Sequence, residues 1–299
     1  IRRPPRSTPS NSSAASDVYK RQVLKSVGGE LRVKFMELVK WFEENCSDGV
    51  IVAFSGGVDS TFLTAVAKSV LGPDKVVAVT IDMPFIPRSE VEESRRIAGV
   101  LGVRHVVFEV ELGDEEIWGN PPNRCYLCKK VLFGKIKEYA RETGVRRVVD
   151  ATNADDVKKY RPGIRALREM GVESPLAQLG ISKRDIRELS RILGLPNWNK
   201  PSSPCLASRI PYGSRITVEK LRRVERAEEL VKKITGARVV RVRDHDLIGR
   251  IEVGRDERKL FFAEEVMDRV YSELRKLGYK YVALDLRGYR EGSMDEMLV

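Results

Sequence analysis

The length, composition and charge of the chain limit what it can be. With 299 residues, 42% of them hydrophobic, the chain is long enough to bury a sizeable core in one or two domains. Its apolar runs stay well short of the roughly 20 residues that cross a bilayer, so we expect a cytoplasmic protein that does not enter the membrane. The net charge of +11 favours an anionic partner, either nucleic acid or a phosphorylated small molecule.

The first 22 residues are expected to lie outside the fold. They are rich in Ser and Pro, lack apolar periodicity and carry part of the positive charge. The stretch resembles translated sequencing-adapter sequence, so we expect a disordered or non-native tail. A basic targeting arm is the alternative, but the segment lacks the amphipathic pattern of a transit peptide.

The following sequence alternates short apolar strands with helices. A first helix is marked by Phe35, Leu38, Val39 and Phe42. Predicted strands then span 50–54, 76–81, 105–111 and 147–152, and predicted helices span 58–71, 90–101 and 128–142. Ser182 with Asp185 predicts the capped start of one more helix. The alternation predicts an α/β fold, with a parallel sheet covered by helices on both faces.

The regular alternation of strands and helices ends after Pro196. A long loop or domain boundary is predicted there, followed by helices over 218–234 and 259–277 and strands over 238–243, 250–253 and 281–286. This pattern predicts a smaller α+β unit. We therefore expect a tail over 1–22, a first domain over 23–196 and a C-terminal domain over 197–299.

The motif SGGVDS lies where the first strand meets the next helix. It comprises Ser55, Gly56, Gly57, Val58, Asp59 and Ser60. The N-terminus of a helix offers unpaired N–H groups, and glycines let a phosphate approach them closely. The lysine of the GxxxxGK[ST] loop is missing. The motif instead resembles the PP-loop of the ATP pyrophosphatases, which cleave ATP to AMP and pyrophosphate while they activate a substrate oxygen as an adenylate. A plain Gly-rich turn is the alternative.

Polar residues follow two further strands of the predicted sheet. Asn153, Asp155 and Asp156 come after the strand that ends at Thr152, at the edge where open α/β sheets bind ligands. In PP-loop enzymes the similar TNxDD segment lies near the nucleotide and its magnesium, although an Asn/Asp turn is the alternative. Asp82 occupies an analogous edge, and we expect it near the adenosine.

The cysteines distinguish between possible chemistries. There are four, Cys46, Cys125, Cys128 and Cys205. A disulfide is not expected without a secretory segment, and neither His105 nor His245 has a spacing that suits a zinc site. The last three thiolates suit a [4Fe-4S] cluster with one open iron, and unrelated core thiols remain an alternative. We expect Cys46 to be a packing residue.

Several segments together resemble the LarE family, the sulfur transferases of nickel-pincer nucleotide cofactor synthesis. They are SGGVDS, NPPNRCYLCK, DATNADDVKKYRPG, PCLASR, RVRDHDLIGRIEVG and YVALDLRGYREGSM, and the similarity spans about residues 30 to 296. The resemblance implies an adenine nucleotide alpha hydrolase-like fold that binds ATP and Mg²⁺ in the first domain. It also implies that ATP adenylates the carboxylates of a pyridinium-3,5-dicarboxylic acid mononucleotide, and that sulfur replaces AMP to give thiocarboxylates.

Two designs of sulfur delivery are known in the family. In one, the cysteine at the position of Cys205 attacks and gives up its own sulfur, becoming dehydroalanine. In the other, cysteines placed as Cys125, Cys128 and Cys205 hold an iron–sulfur cluster whose open iron carries an extra sulfide. Because all three are present, the resemblance implies the second design, with a sulfide source or sulfur donor as partner.

The substrate phosphate requires cations in a fixed geometry. Arg241 and Arg243 alternate along a predicted strand and share one face, which suits a phosphate clamp, although a solvated surface is the default for any one arginine. Ser208 and Arg209 are expected to supply further donors. Glu225 and Glu229, one helical turn apart, are candidates for the same pocket.

Two other functional classes remain open from the residues alone. A PP-loop tRNA thiolase with a three-cysteine cluster fits the basic charge, but we find no zinc knuckle or RNA-binding module. A glutamine- or ammonia-dependent amide synthetase leaves the cysteines unexplained. A non-enzymatic binding module accounts for the residues least well. In the main interpretation we expect a homo-oligomer that binds no nucleic acid.

Overall fold

The computed structural model describes residues 21–158 and 162–298, in two compact units. The first unit comprises residues 21–82, 88–110 and 125–200, and the second comprises 83–87, 111–124 and 201–298. Each unit therefore draws on several stretches of chain. The boundary expected at residues 196–197 stays a prediction. Residues 1–20 of the expected tail lie outside the described residues.

Strands in the described chain form one sheet in each unit. They are β1 (Val50–Ala53), β2 (Val76–Asp82), β3 (Arg104–Glu109), β4 (Arg147–Val149), β5 (Val240–His245), β6 (Ile248–Val253) and β7 (Tyr281–Leu284). The first sheet has the order β3-β2-β1-β4, and all its pairs are parallel, with Val50 opposite Val76 and Arg147. Helices flank this sheet. The predicted α/β fold with a parallel sheet is therefore confirmed.

The α-helices from residue 29 onwards follow the predicted alternation, with several short additions. They are α1 (Gly29–Asn45), α2 (Val58–Leu71), α3 (Arg88–Leu101), α4 (Glu115–Trp118), α5 (Arg124–Thr143), α6 (Ala154–Val157), α7 (Pro162–Glu169), α8 (Pro175–Gln178), α9 (Lys183–Ile192), α10 (Val218–Thr235) and α11 (Glu264–Lys276). Helix α4 belongs to the second unit, as do α10 and α11.

The core of the first unit is built around β1 and α2. Every residue of β2 is buried, and so are the first three of β1, because helices cover both strands. Phe35 and Phe42 of α1 share a hydrophobic cluster with Val52 and Phe62. Burial of such aromatic side chains contributes roughly 1.5–3 kcal/mol each. This packing fixes the strand from which the SGGVDS loop emerges.

Two boundaries in the first unit differ from the predictions by three residues or more. Strand β4 ends at Val149, three residues earlier than predicted, where its pairing is reduced to an isolated parallel bridge between Val149 and Glu173, in which Asp150 donates its N–H to the carbonyl of Glu173 at 2.9 Å. Helix α5 begins at Arg124, four residues earlier than predicted, directly after a turn in which the N–H of Arg124 donates to the carbonyl of Pro121 at 2.9 Å. Cys125 therefore lies on a helix and not in a loop.

The second unit contains a smaller, mixed sheet of order β5-β6-β7. Strands β5 and β6 form an antiparallel hairpin with Val240 opposite Val253, whereas β7 runs parallel to β6. Side chains of α10 and α11 complete its core with Tyr279. The expected α+β unit is present. The helix predicted over 259–277 begins only at Glu264, because a 3₁₀ segment, Arg255–Phe261, precedes it.

Every helix over residues 21–158 and 162–298 is too short or too polar to cross a bilayer. The cytoplasmic location stays a prediction.

Candidate functional site

The SGGVDS loop joins β1 to α2 in a conformation that requires glycine at its centre. Gly56 has φ +67°, in the left-handed region, and a Cβ atom there would lie 2.8 Å from Cα of Ser94 on α3. Gly57 follows as the N-cap of α2, with φ −77°. The loop therefore turns tightly beneath α3 and leads directly into the helix.

The start of α2 presents backbone donors, as an anion site needs. Among the described residues no side chain caps this helix, and its 14 residues place a positive dipole end at the loop. Ser60 Oγ donates to the carbonyl of Gly57 at 3.2 Å and lies 3.2 Å from Ser55 Oγ. Ser55 Oγ in turn accepts from the N–H of Gly57 at 3.3 Å, so both hydroxyls stabilise the loop.

Asp59 forms the charged centre of the nucleotide-side residues. Its carboxylate accepts hydrogen bonds from Lys183 Nζ at 2.6 Å and from Asn153 Nδ2 at 3.2 Å. Burial raises the pKa of this carboxyl, and the neighbouring Lys183 charge acts in the opposite direction. The structure therefore brings together Asp59 and Asn153, which are far apart in sequence, and adds a lysine that the sequence analysis missed.

The predicted Asn153 and Asp155 build a helix start beside Asp59. Asn153 caps α6 by accepting from the N–H groups of Asp155 and Asp156, at 2.9 and 3.2 Å. The carboxylate of Asp156 accepts in turn from the N–H of Asn153 at 3.2 Å. Asp155 accepts from the backbone N–H of Lys183 at 2.9 Å. Asn153 therefore has two roles, because it caps α6 and also binds the carboxylate of Asp59.

Asn197 is a second residue that the sequence analysis missed. Its buried Nδ2 donates to the carbonyl of Gly56 and to Thr61 Oγ1, both at 2.9 Å. Its Oδ1 is buried without a hydrogen-bond partner among the described residues. The residue follows the Pro196 at which the predicted domain ended, so nothing in the local pattern connects it with the loop. Asn197 fixes the orientation of the Gly56 peptide.

Asp82 lies at the carboxyl end of β2, the strand beside β1. It is buried, and both its oxygens accept from Nη1 of Arg88 at 2.6 Å. The Arg88 side chain is largely exposed. The expected position of Asp82 at the sheet edge is thus observed, whereas its role towards adenosine stays a prediction.

The four cysteines all lie in the described chain, and none of them forms a disulfide there. Cys125 and Cys128 lie one turn apart in the first turns of α5, in the first unit, while Cys205 belongs to the second unit. Cys46 is buried at the end of α1, and burial raises the pKa of its thiol to about 12. Over residues 21–158 and 162–298 no group of three or more His, Cys, Asp or Glu side chains is arranged to hold a metal ion.

In the second unit, Cys205 precedes a 3₁₀ turn that contains two predicted phosphate donors. Ser208 Oγ donates to the carbonyl of Cys205 at 2.8 Å. Arg209 is almost completely buried, and its Nε and Nη2 bind the two oxygens of Glu228 at 2.8 and 3.0 Å. Nη1 of Arg209 donates to the carbonyls of Pro204 and Cys205.

The predicted arginine pair lies on β5 and is buried. Arg243 donates to the carbonyl of Ser208 at 3.0 Å and to Glu252 at 2.7 Å. Arg241 donates to the carbonyls of Val240 and Ser202, and no carboxylate among the described residues pairs with it. Burial, together with the charge of Arg209, lowers the pKa of Arg241. The Nε atoms of both β5 arginines have no partner in the described chain. This excess of buried positive charge suits an anion.

The acidic residues of the second unit differ from those expected. Glu229 is exposed and pairs with Arg226 on the same helix at 3.2 Å. Glu228 and Glu252, which were not predicted, are the buried partners of Arg209 and Arg243. Glu225 also lies on α10. The pocket role of Glu225 and Glu229 stays a prediction.

The parallel sheet, the glycine loop and the uncapped helix start define a PP-loop nucleotide-binding protein of the ATP pyrophosphatase class. Residues 31–117 match the NAD synthase family. The chain is 40% identical to an uncharacterized protein of Synechocystis over 90% of its own length and 99% of the relative's. An uncharacterized protein of Methanocaldococcus jannaschii is 30% identical over 81% of this chain and 90% of its own.

A further relative is named as an enzyme. The pyridinium-3,5-bisthiocarboxylic acid mononucleotide synthase of Lactiplantibacillus plantarum is 37% identical over 83% of this chain and 90% of its own. The chain belongs to the family of this synthase, the LarE family.

Proposed function

We propose that this protein is an ATP-dependent sulfur transferase that converts a pyridinium-3,5-dicarboxylic acid mononucleotide into its bisthiocarboxylic acid. The observation that carries the proposal is the 37% identity, over most of both chains, to the named synthase. The SGGVDS loop at the start of α2 supports it, because the reaction begins with a nucleoside triphosphate. The reaction belongs to nickel-pincer cofactor biosynthesis.

In the first step a substrate carboxylate oxygen attacks the α-phosphorus of ATP, and pyrophosphate leaves. The N–H groups of Val58 and the following turn bind the phosphates, and Ser55 and Ser60 hold the loop in place. Carboxylates of Asp59 and Asp155 are suitable oxygen ligands for Mg²⁺. Lys183 supplies a positive charge beside Asp59. We assign Asp82 to the adenosine side.

In the second step sulfur attacks the acyl carbon of the adenylate, and AMP leaves with the oxygen. A thiolate or sulfide is needed, because these are the nucleophilic forms of sulfur. Arg241, Arg243 and Ser208 hold the phosphate of the mononucleotide in this proposal, supported by the buried Nε groups that lack partners. Repetition on the other carboxylate completes the product.

Cys125, Cys128 and Cys205 are the proposed ligands of a [4Fe-4S] cluster. The donor chemistry supports this assignment, because three reduced thiols are available and two lie one turn apart on α5. When bound, such a cluster supplies sulfide that can be replenished. A sulfide source or sulfur donor and a homo-oligomeric state complete the proposal.

The decisive experiment supplies ATP, Mg²⁺, sulfide and the dicarboxylic acid mononucleotide to protein purified without oxygen. We expect pyrophosphate release that depends on the mononucleotide, and thiocarboxylate products detected by mass spectrometry. Failure to release pyrophosphate would contradict the proposal. Thiolation of copurifying tRNA in place of the mononucleotide would support a tRNA thiolase.

The cysteine assignment is tested on the same preparation. The protein is expected to be brown, with about four irons per chain, and each of Cys125→Ala, Cys128→Ala and Cys205→Ala should remove the colour. Cys46→Ala is the matched control, because its thiol is buried in the core and should leave the colour unchanged. A colourless protein in which Cys205 loses its sulfur, with Cys125→Ala and Cys128→Ala still active, would identify the sacrificial design.

A further inference from the structure

The segment that carries Cys205 is held by arginine side chains. The side chains of residues 201–204 are exposed, and regular structure begins only with the 3₁₀ turn at Leu206. Four carbonyl groups of the segment accept hydrogen bonds from buried guanidinium groups. They belong to Ser202, bound by Arg241, to Pro204 and Cys205, bound by Arg209, and to Ser208, bound by Arg243.

Arg209 differs from the other two arginines in how its donors are used. Its Nη1 serves the carbonyls of Pro204 and Cys205 at 2.7 and 3.0 Å, and its Nε and Nη2 form a two-point ion pair with Glu228. All three nitrogens are therefore engaged within the second unit. In contrast, Nε of Arg241 and Nε of Arg243 have no partner among the described residues. Arg209 is thus poorly placed to serve as a phosphate donor.

Glu228 connects this arrangement to the strand that carries the phosphate residues. Its Oε1 also accepts from the backbone N–H of Val242 at 3.1 Å. Val242 lies between Arg241 and Arg243 on β5. One buried carboxylate therefore binds the Cys205 segment, through Arg209, and the backbone of the proposed phosphate clamp at the same time.

We propose that Arg209 and Glu228 form a positioning pair, which sets the place of Cys205 relative to Arg241 and Arg243 and thereby serves sulfur transfer. This inference rests on the proposed function, in which the same cysteine handles sulfur and the two β5 arginines hold the substrate phosphate. The role follows from the demands of the second step, because reacting atoms must be held about 3–3.5 Å apart. Arg209 acts in this proposal through the residues that it holds, because its Nη1 donates to the carbonyl of Cys205 and to Ser208 Oγ.

The test removes the pair without leaving a buried charge. A double variant, Arg209→Met with Glu228→Leu, is chosen because replacing both partners of a buried ion pair is tolerated far better than removing one. The control is the double variant Arg215→Met with Glu115→Leu, which removes an exposed ion pair of the same unit. Circular dichroism and thermal melting establish that both fold. Glu228→Gln, which keeps shape and acceptor oxygen, is the second test variant.

Two rates and one KM are compared with those of the unaltered protein. Iron is first removed from each protein with a chelator and a reductant, so that the thiol of Cys205 is free. The rate at which iodoacetamide then alkylates Cys205, measured by peptide mass spectrometry without any substrate, should change about tenfold in the test variant and stay within about twofold in the control. The KM for the mononucleotide in pyrophosphate release should stay within about twofold in both. Thiocarboxylate formation should fall about a hundredfold in the test variant only. Glu228→Gln should change the rates of alkylation and of thiocarboxylate formation in the same directions as the double variant does.

The outcomes separate the positioning role from other roles. A tenfold rise in the KM for the mononucleotide, with alkylation of Cys205 unchanged, would show that Arg209 is a phosphate ligand and would overturn the proposal. Unchanged alkylation in a folded variant would overturn it as well. If the unaltered protein releases no pyrophosphate with the mononucleotide, the proposed function fails, while alkylation alone still decides whether the pair positions Cys205.

Discussion

Gly56 shows how one residue decides the geometry of the nucleotide loop. Its positive φ and its contact with the backbone of Ser94 each exclude a side chain. Asn197 then holds the Gly56 carbonyl, so that the peptide cannot rotate freely. The loop is thus shaped before a phosphate arrives, which is the condition for strong electrostatic binding at a helix start.

Gly56→Ala is predicted to abolish ATP-dependent pyrophosphate release. The left-handed backbone alone costs about 1–2 kcal/mol for a residue with a Cβ atom, and the contact with Ser94 adds to it. Gly99→Ala on α3 is the control, since nothing lies within 4 Å of the added Cβ, and it should stabilise the helix by roughly 0.5–1 kcal/mol. Urea unfolding and pyrophosphate release measure both effects. Full activity of Gly56→Ala would contradict this account of the loop.

The buried thiol of Cys46 predicts a loss of stability in alkaline solution. Burial raises its pKa to about 12 in the folded protein from a value of 9.0. A raised pKa means that the stabilisation is complete below pH 9 and is lost as the pH rises from 9 towards 12. Each pH unit within that window is worth up to about 1.4 kcal/mol. Urea unfolding from pH 7 to 11 should therefore show a steeper decline for the unaltered protein than for Cys46→Ala. Parallel declines would refute the prediction.

The residues of the site divide into those that local pattern reveals and those that it does not. The SGGVDS loop and Asn153 were predicted because their chemistry is concentrated in short motifs at strand ends. Lys183 and Asn197 were missed, since their contacts depend on where the chain returns in three dimensions. Glu228 could have been found: it lies in the buried stripe of α10 with Leu221, Val224 and Val231, where a charged residue requires a partner.

At the scale of elements, helix α9 links capping to the nucleotide site. Ser182 and Asp185 form the predicted capping box, which fixes the start of the helix at Lys183. Strands and long helices were predictable because apolar periodicity reports burial directly. The short helices α6 and α8 were not, because a single turn contains too few residues to display a period.

Ser182→Ala should weaken ATP use as well as stability. Loss of the cap costs about 1 kcal/mol, and a frayed first turn displaces Lys183 from Asp59, so the KM for ATP should rise several-fold. Thr217→Ala is the matched control because Thr217 caps α10 in the other unit. It should cost similar stability and leave the KM for ATP unchanged. Equal KM values for ATP in the two variants would show that the start of α9 does not contribute to nucleotide binding.

At the scale of the whole molecule, the chain contributes separate stretches to each of its two units. Residues 83–87 and 111–124 belong to the second unit although they lie between strands and helices of the first. A sequence pattern locates elements along the chain but not such exchanges, which depend on tertiary contacts. The first unit holds the proposed nucleotide residues, and the second holds Cys205 and the phosphate clamp.

A pair of deletions tests where the folded molecule begins. Removing residues 1–20 should leave thermal stability and activity unchanged, because their Ser- and Pro-rich sequence lacks the apolar periodicity of an element that packs on a core. Extending the deletion through residue 27 also removes Val23, which is completely buried in the core of the first unit. Loss of that side chain should cost about 1.5–3 kcal/mol. A large loss on the shorter deletion would show that the tail belongs to the fold.

The position of β1 has a consequence for the slow motions of the protein. Because β1 is paired on both sides and buried, its amide hydrogens should exchange with deuterium only when the whole unit opens. Strand β3 forms an edge and is partly exposed, so its amides should exchange by local opening. The loop that meets ATP therefore grows out of the last part of the sheet to open. Strand β3 can therefore open and close locally while the SGGVDS loop, which holds the triphosphate, keeps its structure.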